Sequence, residues 1–233
     1  MKAIFKREFM SYFKTPVGYI FLAAYYLFLG LFFLAYYNSG SPDMPGLIIS
    51  MALVVTFTLP IITMRLFSED RRQKTDQLIF TSPVSITSVV FGKYFAAMCI
   101  YAIGFAPTVV FELIIKSYVS VSLFGYVYAL FGMMLLGSAL IAIGMLVSSL
   151  TESPAVAAIL ALAINIFALY VSLISLLINV KWLSAVAEKI AFVTAVQSFA
   201  KSVLSVPNIV YFLSITAAFL FLTVRSLEKK RWA

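Results

Sequence analysis

Apolar residues run along the chain in six long blocks, at about 17–37, 46–64, 94–115, 124–147, 155–178 and 207–225. The hydrocarbon core of a bilayer is about 30 Å thick and a helix rises about 1.5 Å per residue, so a span needs ~20 apolar residues. The pattern predicts an all-α polytopic membrane protein, a single transmembrane domain over residues 1–233 with six transmembrane helices. Prolines punctuate this plan. Thr15-Pro16, Ser82-Pro83 and Ser153-Pro154 each place a hydroxyl residue before a proline suited to the first helical turn. Pro207 opens the last span, whereas Pro60 and Pro107 fall inside spans and predict kinks.

The segments between the blocks are patterned too. Over residues 2–16, Ile4, Phe5, Phe9, Tyr12 and Phe13 share one half of a helical wheel and Lys6, Arg7 and Lys14 the other. Such an amphipathic interfacial helix lies in a headgroup plane, either as a simple basic anchor or as a docking element for a partner. The connection 65–93 carries the polar run from Ser68 to Gln77, then Leu78-Ile79-Phe80, then Thr81-Ser82-Pro83 opening a second short helix towards Lys93. It reads equally as a solvated hairpin or as a helix–break–helix knob that transmits force from a soluble partner. The turn 148–154 is compact, and Glu152 there suits the start of the next helix. In 179–206, Trp182, Leu183, Val186, Ile190, Val193 and Val196 recur at helical spacing. This predicts one or two short helices, interfacial or re-entrant, acting as an outer gate or a lid.

Composition supports the same class: 63% of residues are apolar and only 11% charged, against about 25% charged in a soluble domain. The net charge of +8 would suggest nucleic acid in a soluble protein. Divided by position it gives a topology instead. Thirteen basic residues lie in 2–14, 65–93 and 225–231 on one side of the bundle, and Lys116, Lys181, Lys189 and Lys201 on the other. Basic loops stay in the cytoplasm, so both termini are expected there, with membrane lipids rather than nucleic acid as surroundings. The basic N-terminus lacks an Ala-x-Ala-like cleavage site, so the first block is expected to be a retained span.

The chain offers little chemistry of its own. It has no histidine and one cysteine, Cys99, which removes His-based zinc sites, His-activated nucleophiles, disulfides and Cys clusters. No G-x-x-x-x-G-K-[S/T] pattern occurs, so no P-loop binds ATP. No catalytic residue, cofactor or metal site is predicted. The one acidic residue inside a block, Glu112, stands four residues before Lys116, where an i,i+4 ion pair is its simplest role. Neutral polar residues dominate the rest: Ser50, Thr56, Thr58 and Thr63 in the second block, Asn165, Ser172 and Ser175 in the fifth. They serve as helix–helix glue or line a pathway. A pump built this way draws its energy from another polypeptide.

Residues 65–85, from Arg65-Leu66-Phe67-Ser68-Glu69-Asp70-Arg71-Arg72 through Lys74-Thr75-Asp76 to Thr81-Ser82-Pro83-Val84-Ser85, resemble the signature loop of bacterial ABC-type-2 exporter permeases. Gly92-Lys93 matches the Gly-Lys that leads into the next span of that family. Lys6-Arg7-Glu8-Phe9, followed by Tyr12-Phe13-Lys14-Thr15-Pro16, resembles its connecting helix, and Ser148-Ser149-Leu150-Thr151-Glu152 the turn before span five. The end, Arg225 to Trp232, is most similar to the gliding-motility-associated subgroup. Two positions depart from the pattern: the usual glycine before Thr75 is Lys74, and the usual glutamate after it is Asp76.

The resemblance implies a type V ABC exporter-like permease subunit, pairing with a second permease as homodimer or heterodimer and with two copies of a separate ATPase that carries ATP and Mg. It implies ATPase coupling through Arg71, Thr81, Ser82, Pro83, Val84, Ser85, Thr151 and Glu152, flanked by the connecting helix around Lys6, Arg7, Glu8 and Phe9. Spans two and five would line the path, with Thr56, Thr58, Asn165 and Ser172 as its polar groups, and the outer helices would gate it. The competing expectation is a membrane scaffold or assembly factor that meets the same ATPase without moving substrate through a pore.

Overall fold

The computed structural model describes residues 1–40, 43–75, 84–118, 123–178, 191–201 and 205–231, with the backbone alone at 172–178 and 231. Among these residues it is entirely helical: α1 Lys2–Lys14, α2 Pro16–Asn38, α3 Met44–Thr63, α4 Ser68–Arg72, α5 Ile86–Gly104, α6 Ala106–Tyr118, α7 Leu123–Leu150, α8 Pro154–Ile178, α9 Phe192–Ala200 and α10 Val206–Arg231. Six stretches are long and apolar enough to cross a membrane, and they begin at Pro16, Met44, Ile86, Leu123, Pro154 and Val206. The third therefore starts well before residue 94, because Lys93 lies inside it, buried and ion-paired. The last helix likewise continues past 225, carrying its basic residues out of the apolar zone on the same rod.

The bundle is organised around α7. Its apolar window is 78% buried and that of α3 67%, against 22% for α2, α8 and α10, so the last three form the periphery. Small residues explain the centrality of α7. A Cβ on Gly137 would sit 2.0 Å from Tyr101 of α5, and one on Gly144 2.3 Å from Thr63 of α3. Neighbouring helices thus approach the α7 backbone closely, the packing that apolar spans use where no water drives association. Polar side chains fasten the seams: Tyr101 donates to the Met133 carbonyl at 2.8 Å, and the hydroxyls of Ser138 of α7 and Thr216 of α10 are hydrogen-bonded at 3.1 Å.

Proline chemistry shapes the third span. Pro107 has no N–H for the carbonyl of Ile103, and the chain breaks at Phe105 between α5 and α6. The carbonyl of Ile103 instead accepts the Tyr26 hydroxyl of α2 at 3.0 Å. Pro60, by contrast, lies inside a continuous α3. At the opposite end of α3, Asp43 caps the helix by accepting the Gly46 amide at 3.1 Å.

The connecting segment departs from a helix lying free on a lipid surface. One stripe of α1 docks along α5, where a Cβ on Gly92 would meet Ile4 at 3.0 Å, and Tyr12 is buried with its hydroxyl donating to the Ile62 carbonyl at 3.3 Å. Phe5, Phe9 and Phe13 stay half-buried in a run of ring contacts 5.3–5.9 Å apart that Tyr19 continues at 6.0 Å. Between α8 and α10, α9 turns Phe192, Ala195, Val196 and Phe199 inwards against α7 and α10. Trp182, Leu183, Val186 and Ile190 lie outside the described residues.

Candidate functional site

The ends of α1, α3, α7 and α10 and the start of α5 meet at the basic end of the bundle, and Lys93 is their anchor. Its side chain is 1% exposed, with Nζ 3.2 Å from Glu8 Oε1 of α1 and 2.8 Å from Asp70 Oδ2 of α4. The Phe67 ring lies 5.3 Å from the same nitrogen. A buried ammonium costs several kcal/mol unless it is paired. Two carboxylates and an aromatic face supply that pairing from two separate segments, so α1 and α4 are tied to the third span through one cation.

Each carboxylate is itself held. Glu8 also accepts from Arg7 at 2.7 Å, and that hydrogen bond, opposed by partial burial, raises the guanidinium above its ordinary value. Asp70 is positioned by the backbone. Lys74 has φ +55°, in the left-handed region, and the chain closes there with Thr75 N to Asp70 O at 2.9 Å and Lys74 N to Arg71 O at 3.0 Å. This is the paired 6→1 and 5→2 ending of a helix, which favours glycine at the left-handed residue. Lys74 is the very position at which the resembled loop carries glycine, so the departure is one of side chain and not of turn.

A second junction joins α3 to α7. Ser148 Oγ accepts the amides of Phe67 and Ser68, each at 3.1 Å, and donates to the Met64 carbonyl at 3.0 Å. Ser68 also donates to that carbonyl. Arg71 reaches the Ser149 carbonyl at 3.4 Å and Glu152 at 3.6 Å, while Lys230 of α10 donates to the same carbonyl at 2.5 Å. Arg71 and Glu152, which the sequence assigns to separate loops, thus stand together. Glu152 is 80% exposed, so the pair contributes little to stability and leaves its carboxylate open to a partner. Thr151 donates to the Val147 carbonyl at 3.1 Å, closing α7.

The remaining expected residues divide. Val84 is half-buried, and Ser85 caps α5 by accepting the Ser88 amide at 3.3 Å. Thr81, Ser82 and Pro83 lie outside the described residues, as does the side chain of Ser172. Lys6 is exposed, and Phe9 stacks within the aromatic run of α1. Thr56 and Thr58 are buried and spend their hydroxyls on the carbonyls of Ala52 and Val54, both at 2.8 Å. Asn165 is fully buried on α8, and neither its oxygen nor its nitrogen has a hydrogen-bond partner among the described residues. Glu112 is a correction: it is 2% exposed, neither oxygen has a hydrogen-bond partner among the described residues, and Lys116 attracts it from a distance without forming a close ion pair. The α6 face bearing Thr108 and Glu112 turns towards Tyr126 of α7, while Lys116 is exposed.

Sequence reading counted Lys93 as one more topogenic charge and missed its burial. The available signal was its place on a helix beside Gly92, with acidic residues scarce enough that Glu8 and Asp70 stand out as its partners.

Residues 8–232 match the model of a family described as ABC-2 family transporter protein. No curated protein matches the chain.

Proposed function

The chain belongs to the ABC-2 family of transporter proteins, the permease components of ABC transporters, and from that premise we propose that it is the membrane subunit of an exporter driven by a separate ATPase. What supports this reading most is the convergence of α1, α4, the 148–153 turn and α10 on one basic face. A soluble ATPase pressing on Arg71, Thr151, Glu152 and the segment 81–85 would move α4, and Lys93 would pass that movement to α1 and the third span together. ATP and Mg belong to that partner, of which two copies would serve a pair of permeases, identical or not.

The distribution of thirteen basic residues against four supports an orientation with both termini in the cytoplasm, and the likeness of residues 65–85 to the loop of bacterial permeases supports a bacterial inner membrane. The ending Arg225 to Trp232 supports the gliding-motility-associated subgroup. The path runs along spans two and five at the permease seam. Thr56, Thr58 and Asn165 face inwards here, so they would line it only after α3 and α8 part, and the unpartnered Asn165 amide favours such a second state.

Co-reconstitution with an ABC ATPase that co-purifies with the chain tests the proposal. The chain should raise ATP hydrolysis, R71E should abolish the increase, and R71E/E152R should restore part of it. Hydrolysis that is indifferent to the chain sinks the coupling role. Stimulated hydrolysis with a monomeric permease and no ATP-dependent flux would favour the scaffold instead.

A further inference from the structure

Between α1 and the 65–75 stretch lies a half-open cleft of about 650 Å³. We propose that it binds the headgroup of an amine-bearing zwitterionic phospholipid. One wall is a single helical stripe of α1, Ile4, Arg7, Glu8, Ser11, Tyr12 and Thr15, at the 3–4-residue spacing of one face. The other is Arg65 and Leu66 of the turn after α3 with Glu69, Asp70 and Gln73 of α4 and its cap, and Lys93 at the base.

Charge decides the ligand class. Among the described residues the lining carries three cations, Arg7, Arg65 and Lys93, and three anions, Glu8, Glu69 and Asp70. A net anion or a net cation would meet as much repulsion as attraction, whereas a phosphate and an ammonium on one small ligand can each take the opposite partner. Capacity is also left for it. Arg65 forms only a loose i,i+4 ion pair with Glu69, at 3.7 Å and beyond hydrogen-bond distance, so its guanidinium N–H groups retain donor capacity for a phosphate. Exposed Ser11 adds a hydroxyl, and Glu69, whose Oε1 accepts from Gln73 at 2.6 Å, keeps Oε2 as an acceptor for the ammonium.

Position favours a lipid over a free solute. The cleft ends at Thr15, where Pro16 starts the first span, so acyl chains leaving a bound headgroup would pass directly beside exposed Tyr19 and Ile20 of α2. The assignment needs only that this end of the bundle meet a headgroup plane, and it stands whether or not the protein exports. A bound headgroup would lie against Glu8 and Asp70, the two carboxylates that Lys93 joins.

The test places the full-length protein in phosphatidylglycerol bilayers doped with phosphatidylethanolamine carrying a photoactivatable group beside the glycerol. Cross-links should map to residues 4–15 and 65–75. R65Q should lower them about tenfold, the loss expected when ~1.4 kcal/mol of charge-assisted binding goes. S11W, at an exposed position, fills the cleft without touching the core and keeps the test decisive if R65Q folds poorly. Unlabelled phosphatidylethanolamine should compete, and phosphatidylcholine, which has no ammonium N–H, should not. Equal competition by phosphatidylcholine, or labelling unchanged in S11W, overturns the proposal. So does displacement by water-soluble glycerophosphoethanolamine of a site that no lipid cross-links, because the occupant is then a free solute.

Discussion

Lys93 carries a charge where water does not reach, and the price of removing it falls on its neighbours. K93M would strand Glu8 and Asp70 in a partly buried site, at about 3–5 kcal/mol, the cost of breaking one side of a buried ion pair. The triple change K93M/E8Q/D70N removes all three charges together and should recover most of that loss. Thermal unfolding in detergent reads the difference; equal melting temperatures for K93M and the wild type would refute the anchor. Lys74 is the complementary case, since its cost lies in backbone conformation. At φ +55° K74G should stabilise the protein by up to about 1 kcal/mol, and K74V should destabilise it, because a β-branched residue tolerates that region worst. Glu112 offers a third contrast. Its oxygens are buried without donors, so E112Q should raise the melting temperature, where an ion-paired carboxylate would give a fall.

At the scale of elements, close approach makes α7 the centre of the bundle. G137A places a methyl group inside the Tyr101 ring, and overpacking of this kind costs about 1–3 kcal/mol. Y101L should partly rescue it by clearing the space, although it gives up the bond to the Met133 carbonyl. Yield and melting temperature of the single and double variants check both statements. The six blocks and the Pro107 break were legible because bilayer thickness and a missing N–H act locally along the chain. The centrality of α7 was not, because Gly132, Gly137 and Gly144 declare their purpose only when Phe199, Tyr101 and Thr63 arrive from α9, α5 and α3. The amphipathic stripe of α1 was visible too, but which of its faces would be buried depended on Gly92, far along the chain.

For the whole molecule, the same asymmetry separates what a charge count reveals from what it hides. Summing basic residues by segment sorts the loops into two sides, since the positive-inside effect depends on number and not on partners. It treats Lys93 and Lys2 alike, although one is an internal anchor and the other is exposed. The candidate site was therefore legible as a set of loops, and its wiring was not. Orientation is the property on which the rest of the proposed function depends, and single cysteines can read it. Cys99 is the natural thiol and is half-buried, so it is first replaced by alanine. S153C lies on the exposed turn beside Glu152, and K201C on the exposed end of α9 at the opposite end of the bundle. In intact cells a membrane-impermeant maleimide should label K201C and spare S153C until the membrane is opened. The reverse result would put the Lys93 junction outside the cell, beyond the reach of any cytoplasmic ATPase, and the proposed coupling would fall with it.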